Sequence, residues 1–109
     1  MTIQEWADEN NIDLGNYPND KYLDCSDSGI TSLSGLPPNF NSTLNCSDNQ
    51  LTDLSGLPPN FNSKLVCYNN KLTSLKGIIR LEPRNLHSDF SEDEVYEQYR
   101  ELRLFELLV

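Results

Sequence analysis

Three cysteines, Cys25, Cys46 and Cys67, are spaced 21 residues apart, and thiols could form disulfides or bind a metal ion. An odd number of cysteines at one equivalent repeat position does not have the spacing of a disulfide framework. Structural zinc requires four ligands around one point, whereas these thiols would form a row. We therefore expect the cysteines to be small buried apolar residues, with no metal site.

Few other residues could carry catalysis. His87 is the only histidine, and the sequence contains neither a glycine-rich phosphate loop nor a histidine cluster with metal-ligand spacing. Asp27 and Asp48 also recur at 21 residues and could line an ion site. Two equivalent carboxylates are more often solvated turn residues, and calcium usually requires about six or more oxygen ligands. The sequence therefore predicts no enzymatic activity and no cofactor.

The 21-residue spacing extends well beyond the cysteines. Residues 23–43 and 44–64 agree at 15 of 21 aligned positions, and both contain the segment LPPNFNS. A third copy, residues 65–85, keeps the first half of the unit and then diverges, with Glu82 in place of Phe61. A repeat of this period indicates stacked units that bury their apolar faces against one another.

Within each repeat, apolar and polar residues alternate before a turn, as in a short strand with one buried face. LNCSDNQL and LVCYNNKL resemble the leucine-rich-repeat signature Leu-x-Leu-x-x-Asn-x-Leu, with Cys in the second Leu position; LDCSDSGI has Ser28 in the Asn position. The short Leu-Pro unit is similar to bacterial-type repeats and to small repeat proteins of bacteriophages and large viruses. This resemblance implies an α/β solenoid with parallel strands on its concave face and extended, polyproline-like segments on its convex face.

Several repeated residues are predicted to have structural roles. Glycines turn the chain away from the strand, prolines stiffen an extended return segment, and phenylalanines fill the convex side. Asparagines hydrogen-bond to backbone groups of neighbouring repeats and form a ladder. The residues that we assign to these roles are Gly35, Gly56, Gly77, Phe40, Phe61, Asn49 and Asn70.

Both ends of the array carry helix signals. Thr2 with Glu5, and Ser91 with Glu94, form capping-box patterns. The first pattern predicts a two-turn helix in which Trp6 plugs the N-terminal end of the array, covering its exposed apolar core. The second predicts a helix over residues 92–108, with a fourth, degenerate strand before it. Its apolar stripe, expected to pack on the last repeat, is Val95, Tyr99, Leu102 and Phe105.

Additional apolar residues near the C-terminus lie partly off this stripe. They either wrap around the last repeat, which we favour, or dock elsewhere, for example in a homodimer. These residues are Tyr96, Leu104, Leu107, Leu108 and Val109. We divide the single domain into a helical cap with a degenerate half-repeat (1–22), three repeats (23–85) and the fourth strand with its capping helix (86–109).

The formal net charge of −9 argues against nonspecific binding to nucleic acid or to an anionic membrane. The charge is uneven: residues 23–81 hold four acids and four bases, whereas residues 82–109 hold eight acids and three bases. The N-terminus lacks the pattern of a signal peptide, and no window approaches the length of a membrane span. We expect a cytoplasmic protein, in a bacterium or an infected host cell.

These features favour a module that binds another protein, through its concave face, its acidic flanks or both. Its resemblance to phage and viral repeats suggests an inhibitor of a host or defence protein. The alternative is a nucleic-acid mimic whose acidic C-terminal helix blocks a basic groove. The predicted partner-binding residues are Tyr22, Asp24, Asn45, Lys64, Val66, Tyr68, His87 and Asp89 on the concave face, and Glu94, Glu97 and Glu101 on the helix.

Overall fold

The computed structural model describes residues 1–108 and has an α/β architecture, with one four-stranded parallel sheet and two α-helices. The strands follow chain order: β1 (Tyr22–Asp24), β2 (Thr43–Asn45), β3 (Leu65–Val66) and β4 (Leu86–His87). Helix α1 (Ile3–Glu9) precedes the sheet and α2 (Glu92–Glu101) follows it. Short 3-10 helices span Leu14–Asn16, Pro83–Asn85 and Leu104–Leu108. Val109, part of the predicted apolar tail, lies outside the described residues.

The repeat determines the register of the sheet. Each strand pairs with residues 21 positions further along the chain, so Leu23, Leu44, Leu65 and Leu86 form one row across the sheet. All four leucines are buried, as are the three repeated cysteines, which are free thiols. The inward orientation of the cysteines is confirmed. The predicted fourth strand also forms, over Leu86–His87 only.

The repeated glycines allow successive repeats to pack closely. Gly77 has a φ of +111°, and a Cβ atom added there would lie 2.2 Å from the carbonyl carbon of Leu54 in the preceding repeat. Gly56 has the same relationship to Leu33, at 2.7 Å. Any side chain at these positions would therefore require both a strained backbone and a shift between repeats.

The LPPNFNS segments differ from the extended polyproline-like conformation that the resemblance implied. The N–H of Phe40 donates to the C=O of Pro37 (3.0 Å), and Phe61 makes the same bond to Pro58 (3.0 Å). Each segment is therefore a hydrogen-bonded turn. The reason is local, because a proline followed by an asparagine, such as Pro38 before Asn39, suits the two central positions of a β-turn.

These turns place the phenylalanines inside the molecule, as predicted. Phe40 and Phe61 are both buried and stack with their ring centroids 6.3 Å apart and their planes 7° from parallel. Tyr17, from the segment before the first repeat, extends this aromatic row at 6.2 Å from Phe40. The row joins the degenerate half-repeat to the array.

The asparagine ladder is confirmed. Oδ1 of Asn49 accepts the N–H of Ile30 (2.9 Å). Nδ2 of Asn49 donates to the C=O of Cys25 in the first repeat and of Cys46 in its own, at 3.0 Å each. Asn70 makes equivalent bonds between the second and third repeats. Each of these amides satisfies backbone groups that the turn would otherwise leave buried and unpaired.

A second asparagine ladder runs along the outer turns and was not predicted. The side chains of Asn41 and Asn62 are hydrogen-bonded to each other (2.9 Å), and Oδ1 of Asn41 also accepts the N–H of Asn62 (3.0 Å). Asn19 and Asn85 extend this ladder at its two ends. The repeated asparagines of LPPNFNS were the available signal.

Both capping boxes form. Thr2 and Glu5 exchange hydrogen bonds at the start of α1 (3.0 and 3.1 Å). Ile3 and Ala7 of α1 are fully buried, but Trp6 is only partly buried. The prediction of Trp6 as the main plug is therefore wrong, because the helix turns Ile3 and Ala7 more directly into the core.

Helix α2 ends at Glu101, which corrects the prediction of one helix over residues 92–108. Leu102 is its C-cap, and Arg103 has a φ of +59°, in the left-handed region. A separate 3-10 helix, Leu104–Leu108, follows. Good helix-forming residues continue through this stretch, so no glycine or proline marks the break in the sequence.

The break changes which apolar side chains are buried. Val95 and Tyr99 are buried as predicted, but Leu102 and Phe105 are each 38% exposed, whereas Leu104 is buried. The predicted stripe is therefore wrong in its second half. Phe105 follows the break and no longer has the helical spacing of α2, and Leu102 is the C-cap at the exposed end of the helix.

Candidate functional site

The polar positions of the four strands form one continuous surface, which we call the strand face. Asp24, Asn45, Val66 and His87 occupy one row across the sheet. Tyr22 and Thr43 belong to a neighbouring row, two residues earlier along the strands. The predicted strand-face residues are Tyr22, Asp24, Asn45, Lys64, Val66, Tyr68, His87 and Asp89, and the repeat spacing brings them together.

Two tyrosines are the most exposed large side chains of this face. Tyr22 is 52% exposed and Tyr68 is 44% exposed. They lie two strand spacings and four residue positions apart, which is roughly 16 Å along a diagonal of the sheet. Their backbones are held by the repeat: the N–H of Tyr68, for example, donates to Oγ of Ser47 (3.0 Å). Ser47 itself is buried.

The carboxylates at the ends of the face are already hydrogen-bonded. Asp24 Oδ1 accepts from the hydroxyl (2.6 Å) and the N–H (3.0 Å) of Ser26, and these bonds lower the pKa of the Asp24 carboxyl. Asp89 Oδ2 accepts the N–H of Asn69 (2.6 Å). Both carboxylates are fixed in orientation, so they provide localised negative charge at the two ends of the face.

The acidic residues of α2 are also partly engaged. Glu94 accepts the N–H of Ser91 in the capping box (3.0 Å), and this bond lowers the pKa of Glu94. Glu97 is paired with Arg100 at 2.8 Å, and both side chains are mostly exposed. Glu101 lies one turn further along the helix and is exposed. The helix therefore presents less free negative charge than its sequence suggests.

The C-terminal residues fold onto the last repeat. The Tyr99 hydroxyl donates to the buried C=O of Leu81 (2.5 Å), and Arg80 donates to the C=O of Leu107 (3.0 Å). Phe105 stacks on Tyr96, with centroids 5.7 Å apart. These contacts agree with the favoured prediction that the tail wraps around the last repeat. Several large apolar side chains nevertheless stay about two-fifths exposed: Tyr96, Leu102, Phe105 and Leu107.

Side chains occupy part of the outer edge of β1. The hydroxyl of Tyr17 donates to the C=O of Tyr22 (2.8 Å). The carboxylate of Asp24 accepts the N–H of Ser26. The hydroxyl of Ser28 donates to the C=O of Ser26 (2.9 Å). Three backbone groups that could pair with another strand are therefore occupied.

The opposite edge, at β4, borders a groove of about 350 Å³ between the sheet and α2. Leu86, His87 and Ser88 line it on the strand side, and Val95 and Tyr96 line it on the helix side. Further lining comes from Tyr68, Pro83, Arg84, Phe90 and Glu92. Sequence reasoning did not find this groove, because it depends on the angle at which α2 leaves the sheet.

The thiols show no features of a reactive site. Burial raises the pKa of Cys25 and of Cys67 to about 12, and it raises that of Cys46 well above the usual value. These thiols therefore remain protonated at neutral pH and are weak nucleophiles. Over residues 1–108, no group of three or more His, Cys, Asp or Glu side chains is arranged to hold a metal ion. At the turn where an ion site was considered, Asp48 accepts a hydrogen bond from Asn69 (2.7 Å).

Comparison with protein-family models found no match. Comparisons with curated proteins and with solved structures also found no similar protein. Within the described part of the chain, no helix is long and apolar enough to cross a membrane.

Proposed function

We propose that this chain is a short leucine-rich-repeat solenoid that binds a partner protein through its strand face and has no catalytic activity. The in-register strands, the rows of buried leucine and cysteine, and the asparagine ladder between repeats support this architecture. Because each repeat is fixed by its neighbours, the face is a rigid platform, and binding to it requires little ordering of the backbone.

One observation carries the proposal: Tyr22 and Tyr68 stand about half exposed on a mainly polar surface whose backbone is hydrogen-bonded between repeats. Tyrosine provides a large contact area at a small cost in side-chain entropy, and it is enriched among the residues that dominate interface energies. Val66 and His87 lie in the row between the two tyrosines, and Lys64 adds a positive charge within the face. The face thus combines aromatic anchors with a polar surround.

The specific form that we propose is an inhibitor of a host or defence protein in bacterial or infected-cell cytoplasm. This step rests on the resemblance of the repeats to those of phage and large-virus proteins. The fold by itself supports binding in general, since one architecture serves many partners.

The test is affinity capture with the immobilised chain, followed by affinity measurement with the purified partner. The variant Tyr22→Ala with Lys64→Ala removes an anchor and a charge from the strand face, and neither residue lines the groove beside β4. We expect it to weaken binding by at least about tenfold, because truncating an interface anchor commonly costs about 2 kcal/mol. The matched control is Lys76→Ala with Ile79→Ala, which removes an exposed lysine and a 37%-exposed apolar side chain outside the strands. Equal binding by both variants would refute recognition by the face.

The acidic nucleic-acid mimic remains the competing proposal, with Glu94, Glu97 and Glu101 on α2 as its binding residues. The engagement of Glu94 in the cap and of Glu97 with Arg100 favours the strand face instead. Salt separates the two proposals: mimicry predicts a steep loss of affinity between low and high salt, whereas an interface centred on tyrosine predicts little change. A partner that is lost at high salt and is insensitive to the Tyr22 variant would favour the mimic.

A further inference from the structure

The last strand of the sheet has an open hydrogen-bonding edge. The C=O of His87 accepts the N–H of Cys67 in β3 (2.8 Å), so His87 directs its backbone groups inward. Successive residues of a strand direct these groups to opposite edges, so those of Leu86 and Ser88 point outward. The N–H of Leu86 donates to the C=O of Pro83 in the preceding 3-10 turn. Three groups remain without a hydrogen-bond partner among residues 1–108: the C=O of Leu86 and both backbone groups of Ser88.

This open edge forms one side of the groove described above. Leu86 and Ser88 line its floor, and the side chains of Phe90, Val95 and Tyr96 provide an apolar wall from the α2 side. Tyr96 is 44% exposed, so part of this wall is available for contact. An extended peptide placed here would find backbone partners along β4 and an apolar surface for every second side chain.

The edge of β1 differs from that of β4 only in part. There, hydrogen bonds from the side chains of Tyr17, Asp24 and Ser28 occupy three outward-facing backbone groups. The N–H and C=O of Asp24 also point outward, because Cys25 pairs inward with Asn45, and they have no hydrogen-bond partner among residues 1–108. Exposed sheet edges promote unwanted pairing, and proteins usually block them. The edge of β4 differs in lying beside a groove that has an apolar wall from α2.

The charges around the groove favour a basic occupant. Glu92 and Arg84 both line the groove, but Arg84 is paired with Glu82 (2.6 Å). Asp93 and Glu94 follow Glu92 in the first turn of α2. Residues 82–109 hold eight acids against three bases. A second copy of this chain would bring another net charge of −9, so electrostatic repulsion disfavours self-pairing.

We propose that the open edge of β4 binds an extended, basic peptide segment of a partner protein, which adds a fifth strand between β4 and α2. The peptide alternates apolar residues, facing Val95 and Tyr96, with basic residues that complement Glu92. This inference rests on the proposed function in requiring a protein ligand, but it uses backbone groups at the sheet edge rather than side chains of the strand face.

The probe is an acetylated, amidated hexapeptide of alternating lysine and valine, tested by fluorescence anisotropy in about 150 mM salt to limit nonspecific attraction. Two N-methylated isomers, one methylated on the lysines and one on the valines, have the same mass and charge. Only one set of alternate N–H groups faces β4 in an added strand. We therefore expect one isomer to bind at least about tenfold more weakly than the other, since each lost hydrogen bond costs about 1 kcal/mol.

The matched protein variants are Ser88→Pro and Ser88→Ala. Both remove the hydroxyl that accepts the N–H of Phe90, but only proline removes the outward N–H of the strand. We expect Ser88→Pro to weaken peptide binding about tenfold and Ser88→Ala to change it by less than about twofold. Amide resonances of folded variants, recorded by NMR, should remain native outside the edge.

Three outcomes would overturn the inference: no binding of the unmodified peptide, equal binding of the two methylated isomers, or peptide-induced NMR shifts centred away from residues 86–96. Shifts centred on the exposed tail near Phe105 would assign the peptide to that apolar surface instead. The strand-face variant, Tyr22→Ala with Lys64→Ala, changes no residue that lines the groove. Either proposal can therefore fail without the other.

Discussion

Ser28 and Ser91 occupy the same position of the 21-residue repeat at opposite ends of the sheet, where the inner repeats have Asn49 and Asn70. Each asparagine joins its own repeat to the preceding one. Ser28 has no preceding strand to hold, and its hydroxyl instead bonds to the backbone two residues earlier. Ser91 begins α2, where its hydroxyl accepts the N–H of Glu94.

The comparison teaches how the array is ended on its two sides. At the first repeat, the hydroxyl at the position that would link repeats bonds to the backbone at the sheet edge. At the last, the same position starts a helix that leaves the sheet, so the edge of β4 lies open beside a groove. The two ends are thus alike in carrying a capped helix and different in what lies beside their sheet edges.

The largest expected effect is on the free energy of unfolding and concerns the residues that cover the two ends of the array, Tyr99 and Trp6. Tyr99→Ala should lower the free energy of unfolding by about 3–5 kcal/mol, because it empties a fully buried site and leaves the C=O of Leu81 unpaired. Trp6→Ala should cost less, since Trp6 is only partly buried. Urea denaturation of both variants checks the order, and a larger loss for Trp6→Ala would contradict the account of the caps.

The next effect concerns the stability contributed by an inner asparagine, at the repeat position where the two ends have serine. Asn49→Ala should cost about 2–4 kcal/mol, because it leaves several buried backbone groups of two repeats without partners. The matched control is Asn62→Ala, which removes an exposed amide of the outer ladder and should cost about 0.5 kcal/mol. Equal losses in urea denaturation would show that the inner ladder does not hold the repeats together.

Alkaline pH should lower the stability of the core by a similar amount at its two ends, through Cys25 and Cys67. Burial raises the pKa of Cys25 and of Cys67 to about 12 in the folded chain, whereas an unfolded thiol has a pKa of about 8.5. Stability is therefore complete below about pH 8.5 and falls as the pH rises towards 12, by up to about 1.4 kcal/mol per pH unit for each thiol. Between pH 9 and 10, Cys25→Ala and Cys67→Ala should each reduce this slope by a similar amount. A difference between the two variants would show that the core at one end is open to water.

The smallest effects compare the two serines directly. Ser91→Ala removes a helix cap and should cost about 1 kcal/mol. Ser28→Ala removes one partly buried hydrogen bond at the sheet edge and should cost about 0.5 kcal/mol. Thermal unfolding of the two variants measures the difference. A greater cost for Ser28→Ala would mean that edge closure contributes more to stability than the cap of α2.

Much of the fold was predictable because the repeat constrains it. A unit of fixed length that stacks on itself must pair equivalent residues, so the register of Leu44 with Leu65 follows from the spacing alone. The capping boxes and the asparagine ladder were also predictable, since each depends on side chains that bond to nearby or equivalent backbone groups. The strand-face residues were predicted in the correct rows for the same reason.

The parts that could not be predicted depend on non-repeated contacts. Nothing local marks the end of α2, because Arg103 adopts its left-handed conformation within a run of good helix formers. The burial of Leu104 follows from that break. The hydrogen bond from Tyr17 to the edge of β1 and the groove beside β4 arise where irregular segments meet the array, and the repeat pattern contains no information about them.

The most direct test of the open edge of β4 is amide hydrogen exchange in the free protein, followed residue by residue by NMR. The account predicts that Ser88 exchanges close to the rate of an unstructured amide, because its N–H faces the groove without a partner. Ser26, bonded to Asp24, should exchange more slowly, and Cys67, bonded within the sheet, more slowly still. Protection of Ser88 equal to that of Cys67 would show that the edge of β4 is closed and would contradict the account.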